Sequence, residues 1–122
     1  MGLGARHLEA NGIPTVVIGS ARDIVEECGV ARFVFVDFPL GNPCGKPGDL
    51  AMQNRIASLA LDVLEGAIAP RTTVQAPEVW ADDDGWRDRF MHVGEDNRQE
   101  LAAAGAERRR HQDDVRSRRA EQ

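Results

Sequence analysis

Two runs of apolar residues, at positions 13–18 ("IPTVVI") and 32–38 ("RFVFVDF"), constrain the fold more than any other feature of this sequence. Apolar side chains occupy most positions of both runs, so neither run alternates regularly between apolar and polar residues. Strands of parallel sheets have this pattern when helices cover both faces of the sheet, because neither face meets water. The two runs therefore predict an α/β fold with a parallel sheet.

Three helical segments are predicted around these strands. The first, "GLGARHLEANG", closes on Asn11 and Gly12, a pair that commonly ends helices. The second begins at Ser20, which has capping-box spacing to Asp23, and runs through Cys28. The third, "DLAMQNRIASLALDVLEG", has the wide apolar stripe of a helix that packs against a core. The alternation of helices and strands supports the α/β assignment.

The predicted sheet is incomplete. Two strands are too few for a stable open sheet, and the sequence shows no strand ahead of the first predicted helix. We therefore expect that another chain, or an N-terminal part outside this sequence, completes the sheet. We also expect the protein to be an obligate oligomer.

The composition changes after the third helix, which divides the chain into a partial α/β domain (1–69), an extended arm (70–92) and a charged tail (93–122). Trp80 and Trp86 are expected to pack the arm onto the helical layer, because buried tryptophan contributes a large apolar area. The stretch "RDRFMHV" predicts a short helical piece within the arm. The tail has helix-forming residues without an apolar stripe, which is typical of a solvated helix or a disordered segment.

Charge, cysteine and histidine content argue against several functional classes. The 20 acidic and 15 basic residues give a net charge of −5, so no basic excess indicates nucleic acid. No apolar run approaches the roughly 20 residues of a membrane helix. The two cysteines follow no secretory leader, which predicts reduced thiols in a cytoplasmic protein. The three histidines lack metal-ligand spacing and the glycine-rich stretches lack nucleotide-loop spacing, so we predict neither a metal site nor a cofactor.

The loop "DFPLGNPCGKPGD", at positions 37–49, contains most of the candidate site. Ligands of open parallel sheets bind beyond the carboxyl ends of the strands, and this loop and the "GS" after the first strand both lie at that end. Lys46 and the start of the next helix favour the thiolate form of Cys44, which makes Cys44 the candidate catalytic residue. The candidate substrate-binding residues are Gly19, Ser20, Asp37, Gly41, Asn42 and Lys46.

A purely structural interpretation of this loop stays open. Prolines and glycines between a strand and a helix often form only a turn, and one cysteine near one lysine is a weak signal. Cys28 is expected to be a packing residue, because the neighbouring carboxylates of Glu26 and Glu27 disfavour a thiolate there.

The stretch "ARHLEANGIPTVVIGSARDIVEECGVARFVFVDFPLGNPCGKPGD", followed by the helix "AMQNRIASLALDVLEGA", resembles the C-terminal portion of the glycine/sarcosine/betaine/D-proline reductase selenoprotein B family, including its cysteine-containing relatives. The resemblance extends over about residues 1–90 when "PEVWADDDGWRDRF" is included. It implies a Rossmann-like, three-layer α/β subunit of a complex that reductively cleaves a carbon–heteroatom bond in a small substrate.

The resemblance also implies where the nucleophile lies. In the family, a thiolate or selenolate sits in a short turn immediately before the helix that corresponds to "GLGARHLEANG". Met1 stands about where that motif ends, so we expect the main nucleophile outside this chain and a partner chain that carries the cysteine- or selenocysteine-containing turn. Cys44 would then be a candidate resolving thiol.

Two other functional interpretations remain. The chain could be a non-catalytic interaction or regulatory subunit that keeps the fold and binds a partner through its tryptophans and its arginine-rich tail. A nucleic-acid accessory role for "ERRRHQDDVRSRR" ranks lowest, because Asp113 and Asp114 interrupt the basic run and the whole chain is acidic.

Overall fold

The computed structural model describes residues 1–89, 92–95 and 97–120. The chain divides into two compact units, Met1–Arg87 and Asp88–Gln122. The elements, in chain order, are α1 (Gly2–Ala10), β1 (Val17–Gly19), α2 (Arg22–Glu27), β2 (Arg32–Phe35), α3 (Leu50–Gly66), β3 (Thr72–Gln75), α4 (Gly85–Arg89) and α5 (Arg98–Ala120).

The first unit contains a small parallel sheet. Its strands are ordered β1-β2-β3, so that β2 is central and pairs in parallel with both neighbours. Val17 is in register with Phe33, and Val34 is in register with Val74. The predicted α/β class and the parallel arrangement are confirmed.

Two core clusters lie around this sheet. The larger one joins Val34 to Phe38 and to the apolar stripe of α3, which includes Ile56 and Val63. The smaller one joins Phe33 to Ala5 of α1 and to the α2–β2 connection; its buried members are Ala5, Val17, Val30 and Phe33. Consecutive residues of the central strand therefore pack into different clusters, which explains why both faces of the strand are apolar.

The arm supplies a third strand that the sequence did not predict. "TTVQ" in the stretch expected to be an extended arm forms β3 and pairs with β2. Conversely, the first strand is shorter than its apolar run, because it begins at Val17 and not at position 13. Pro14 has no N–H to donate, and both the N–H and the hydroxyl of Thr15 donate to the carboxylate of Glu9.

The predicted capping box at the start of α2 is wrong. The helix begins at Arg22, its N-cap is Ala21, and no side chain caps it. The hydroxyl of Ser20 is buried and has no hydrogen-bond partner. By contrast, the end of α1 is as predicted, since Asn11 follows the last helical residue and Gly12 has a φ of +78°.

The second unit consists mainly of α5, a helix of 23 residues. Its described side chains between positions 98 and 113 are exposed apart from the half-buried Gly105 and Ala106, so this part of the tail is a solvated helix. Phe90 and Met91, which the sequence assigned to a short helical piece, lie outside the described residues. Over the described ranges, no helix combines the length and apolarity needed to cross a bilayer.

Candidate functional site

The loop between β2 and α3 is a series of tight turns fixed to the first turn of α3. The N–H of Gly45 donates to the carbonyl of Asn42, and the N–H of Asp49 donates to the carbonyl of Lys46. The carboxylate of Asp49 caps α3 by accepting from the N–H of Met52 at 2.9 Å. These bonds hold the loop at the carboxyl end of β2.

Gly45 occupies a position that no other residue would fit well. Its φ is +108°, and a Cβ atom there would lie 3.2 Å from Cγ of Gln53. The side-chain amide of Gln53 in turn donates to the carbonyl of Lys46 at 2.8 Å. The backbone on the C-terminal side of Cys44 is therefore packed closely against α3.

Cys44 lies at a cavity of about 590 Å³ beside β1, which is one of the two edge strands of the described sheet. The side chain of Cys44 is exposed and is not part of a disulfide. The cavity is bounded by the start and middle of α1, by β1 and the residues before it, and by the loop. Its lining residues are Met1, Gly4, Ala5, Leu8, Thr15, Val16, Val17, Ile18, Pro43 and Cys44.

The lining of this cavity is apolar apart from the thiol, the hydroxyl of Thr15 and the backbone. Leu8 is 40% exposed and Met1 is fully exposed, so apolar surface remains uncovered beside the edge of β1. An edge strand with adjacent apolar surface can accept a further extended segment through backbone hydrogen bonds.

Cys28 has a different environment. It is half-buried and packs against the smaller core cluster, as the sequence predicted. A Cβ atom on Gly2 would lie only 2.7 Å from Cβ of Cys28, which shows how closely the first turn of α1 approaches this cysteine.

A second cavity, of about 290 Å³, lies beyond the carboxyl ends of β2 and β3. Asp37 lines it, and its carboxylate receives two hydrogen bonds from the guanidinium of Arg87, at 3.1 and 2.5 Å. Arg87 also donates from Nε to Asp84 at 3.1 Å. The hydrogen bonds to Asp37 and then to Asp84 raise the pKa of Arg87.

Both tryptophans line the second cavity, and both have a cation over the ring. The guanidinium of Arg87 lies 4.6 Å from the ring centroid of Trp86, and Nζ of Lys46 lies 5.9 Å from that of Trp80. Trp80 also packs edge-on against Phe38, with 5.2 Å between the ring centroids.

Glu78 fixes the wall of this cavity to α3. Its two carboxylate oxygens accept hydrogen bonds from Nε and NH2 of Arg55, at 2.7 and 2.9 Å. These hydrogen bonds hold the pKa of Glu78 below its usual value, against the opposing effect of burial. The charges around the cavity thus occur as paired groups.

The structure distributes the predicted site residues over both cavities. Cys44 lines the cavity beside β1, and Asp37 lines the cavity beyond β2 and β3. The other candidates, which lie at or near the carboxyl end of the sheet without lining either of these two described cavities, are Gly19, Ser20, Gly41, Asn42 and Lys46.

These other candidates have identifiable local contacts. The carbonyl of Gly19 accepts from the N–H of Val36, which extends the β1–β2 pairing. Gly41 has a φ of +97°, and Asn42 donates its N–H to Pro39 within a turn. The side chain of Lys46 lies over Trp80.

Sequence reasoning missed Arg87 as a site residue and missed the contribution of α1. Arg87 is 50 positions from Asp37, so no local spacing indicates the pair. The signal that was present is composition: "ADDDGWRDR" places an arginine beside a tryptophan in an otherwise acidic turn. Comparison with known proteins found no matching family model, no matching curated protein and no matching solved structure.

Proposed function

We propose that the chain is a subunit of a selenoprotein-B-like reductase complex that cleaves a carbon–heteroatom bond in a small substrate. In this proposal a partner chain supplies the main thiolate or selenolate, which attacks at the cavity beside β1. The fold has a Rossmann-like three-layer arrangement, an interpretation supported by the two core clusters around the sheet.

One observation carries the proposal: Met1 and Gly4 at the start of α1 line the same cavity as Pro43 and Cys44. The resemblance of the sequence implies a nucleophile immediately before this helix. A nucleophile placed there would lie at the mouth of the cavity that contains the Cys44 thiol, although the two elements are more than 40 residues apart in the chain.

Cys44 acts as the resolving thiol in this scheme. The two thiol groups, one from the partner and one from Cys44, supply two electrons and two protons. The substrate R–X becomes R–H and H–X, and the two sulfurs become a disulfide that an external dithiol reduces. With a selenol on the partner, the oxidised product is a selenylsulfide.

The test is co-purification with a variant that fills the cavity. A Cβ atom on Gly4 would have no neighbour within 4 Å, so Gly4→Phe adds a ring at the cavity without a clash at its base. Gly66→Phe is the matched control, because Gly66 also has open space and lines a separate cavity beside β3. Tagged full-length chains are purified from cells that express the protein naturally.

We expect the wild type and Gly66→Phe to retain a chain with a cysteine- or selenocysteine-containing turn and to show thiol-dependent reductase activity. Gly4→Phe loses both. Retention of such a chain by Gly4→Phe would exclude this cavity as the docking point, and a captured chain without the turn would argue against the reductase assignment.

A second candidate function is that of a non-catalytic interaction subunit. The observation behind it is α5, whose described side chains are mostly exposed along a helix of 23 residues. A helix that is polar all round has no apolar stripe with which to pack onto a core of its own, so its surface is open to a partner. Capture of a partner that depends on α5 and not on Gly4 would select this function.

A further inference from the structure

The segment from Pro77 to Arg87 contacts the rest of the fold near both of its ends. Near its start the contacts are an ion pair and aromatic packing, and at its end the contact is an ion pair. Near its start, Glu78 forms the bidentate pair with Arg55 of α3, and Trp80 packs against the buried ring of Phe38. After Trp80 comes an acidic turn whose side chains at positions 82–84 are exposed. The far end is tied down by the pair between Arg87 and Asp37.

This arrangement already engages Asp37 and Trp86 at the second cavity. Both oxygens of Asp37 accept from Arg87, and the same guanidinium covers the ring of Trp86. The cavity lies beyond the carboxyl ends of β2 and β3, which is where parallel sheets bind ligands. Arg87 therefore already contacts the Asp37 carboxylate and the Trp86 ring, which would otherwise be available to a ligand.

We propose that residues 81–87 form a strap that closes this cavity, with the Asp37–Arg87 pair as its latch. Opening the latch exposes Trp86 and frees the carboxylate of Asp37, while Trp80 stays packed on Phe38. The inference is independent of the proposed reductase function, which concerns the cavity beside β1.

The strength of the pair suits a reversible latch. The side chains of Arg87 and Asp37 are 46% and 37% exposed, so water and salt screen their attraction. An exposed ion pair typically shifts an equilibrium by about fivefold or less. The free energy that favours the closed strap is therefore small enough for a competing ligand or high ionic strength to overcome.

The two tryptophans, which are the only ones in the chain, provide the readout. Quenching of tryptophan fluorescence by acrylamide, a neutral quencher, is measured on the full-length chain. Asp37→Asn breaks the latch, and we expect the open population to rise about two- to fivefold, with a matching rise in the quenching of Trp86. Asp84→Asn is the control, because it removes the other carboxylate partner of Arg87 and leaves the latch.

Two further measurements make the result decisive. In a Trp86→Phe background only Trp80 remains, and Asp37→Asn should leave its quenching unchanged. In the wild type, raising the salt from about 0.05 to 1 M should increase the quenching, and this increase should be absent in Asp37→Asn.

The proposal is overturned if acrylamide quenches the tryptophan fluorescence of Asp37→Asn and of Asp84→Asn to the same extent. It is also overturned if the added quenching in Asp37→Asn persists in the Trp86→Phe background. Should Asp37→Asn fail to fold, the salt titration of the wild type decides: no increase in quenching at 1 M salt excludes a screened latch.

Discussion

Phe33 and Val34 are consecutive residues of β2, both essentially buried, and they pack into different core clusters. Phe33 contacts the cluster that contains residues of α1, and Val34 contacts the cluster that contains the apolar stripe of α3. The central strand thus makes the packing of one side of the sheet depend on the other, because any shift of the strand disturbs both clusters.

The apolar stripe of α3 offers a direct test of the larger cluster. Ile56 is 1% exposed, whereas Leu61 on the same helix is 59% exposed. Ile56→Ala should lower the free energy of unfolding by about 2–5 kcal/mol through lost burial and a new cavity. Leu61→Ala should change it by less than about 0.5 kcal/mol, as expected at the surface. Urea unfolding followed by circular dichroism measures both, and equal losses would contradict the assigned core.

The sequence predicted the class of the fold because a strand that is buried on both faces, such as β2, has apolar residues at consecutive positions. It did not predict β3, since "TTVQ" is short, is at most half-buried and contains only one strongly apolar residue, although its threonines and valine favour extended backbone. Pairing with β2 depends on the path of the chain after α3, which local pattern does not contain. The inference that the sheet has only two strands therefore failed, and with it one reason for expecting another chain.

The candidate site was predictable only where it depends on sheet topology. Placing Asp37 and Cys44 at the carboxyl end of β2 follows from their position after an apolar strand. The division into two cavities does not, because it depends on Arg87 from the arm and on Met1 and Gly4 at the start of α1. These are tertiary contacts between segments that are distant in sequence.

Gly2 and Gly4 lie two positions apart in the first turn of α1, yet substitution by alanine should change the stability of the protein in opposite directions at the two positions. A Cβ atom at Gly2 would lie 2.7 Å from Cβ of Cys28 and 3.0 Å from its Sγ, so Gly2→Ala forces a shift that costs about 1–3 kcal/mol. A Cβ atom at Gly4 meets nothing within 4 Å, and Gly4→Ala should stabilise the helix by about 0.5–1 kcal/mol. Thermal unfolding of the two variants measures the difference, and a change of the same sign would show that α1 packs differently.

The Arg55–Glu78 pair predicts a specific dependence of stability on pH. The pKa of Glu78 is lowered in the folded chain. The contribution of the pair to the free energy of unfolding is therefore fully present above the pKa of Glu78 in the unfolded chain, near 4.5, and is lost as the pH falls through its pKa in the folded chain. Glu78→Gln should lower the Tm by about 2–5 °C at pH 7. The two melting curves should converge as the pH falls below the folded pKa of Glu78. A Tm difference that stays constant on acidification would mean that the pair contributes through packing alone.

Removal of the tail should leave the first unit intact. The helix α5 belongs to the second compact unit, and its described side chains are mostly exposed. A chain ending at Gly94 should therefore melt within about 2 °C of the full-length chain, because little apolar surface is lost. The measurement is differential scanning calorimetry of both chains at equal concentration. A loss of many degrees would identify the tail as a packed element.

Cys44 should react faster with iodoacetamide than Cys28, because Cys44 is exposed at its cavity whereas Cys28 is half-buried against the smaller core cluster. Alkylation of each thiol between pH 6 and 9, followed by mass spectrometry, gives both rates in one sample. A bound partner chain should protect Cys44 and leave the rate at Cys28 unchanged, which makes Cys28 an internal control.

The variant Cys44→Ser separates chemistry from packing. An exposed thiol makes few contacts, so this change should leave assembly and Tm unaltered. If Cys44 resolves the disulfide with the partner, turnover should fall by at least about tenfold, which corresponds to about 1.4 kcal/mol of lost transition-state stabilisation. Full turnover in Cys44→Ser would remove the thiol from the reaction, and faster alkylation of Cys28 than of Cys44 would contradict the choice of the cavity beside β1 as the reactive one.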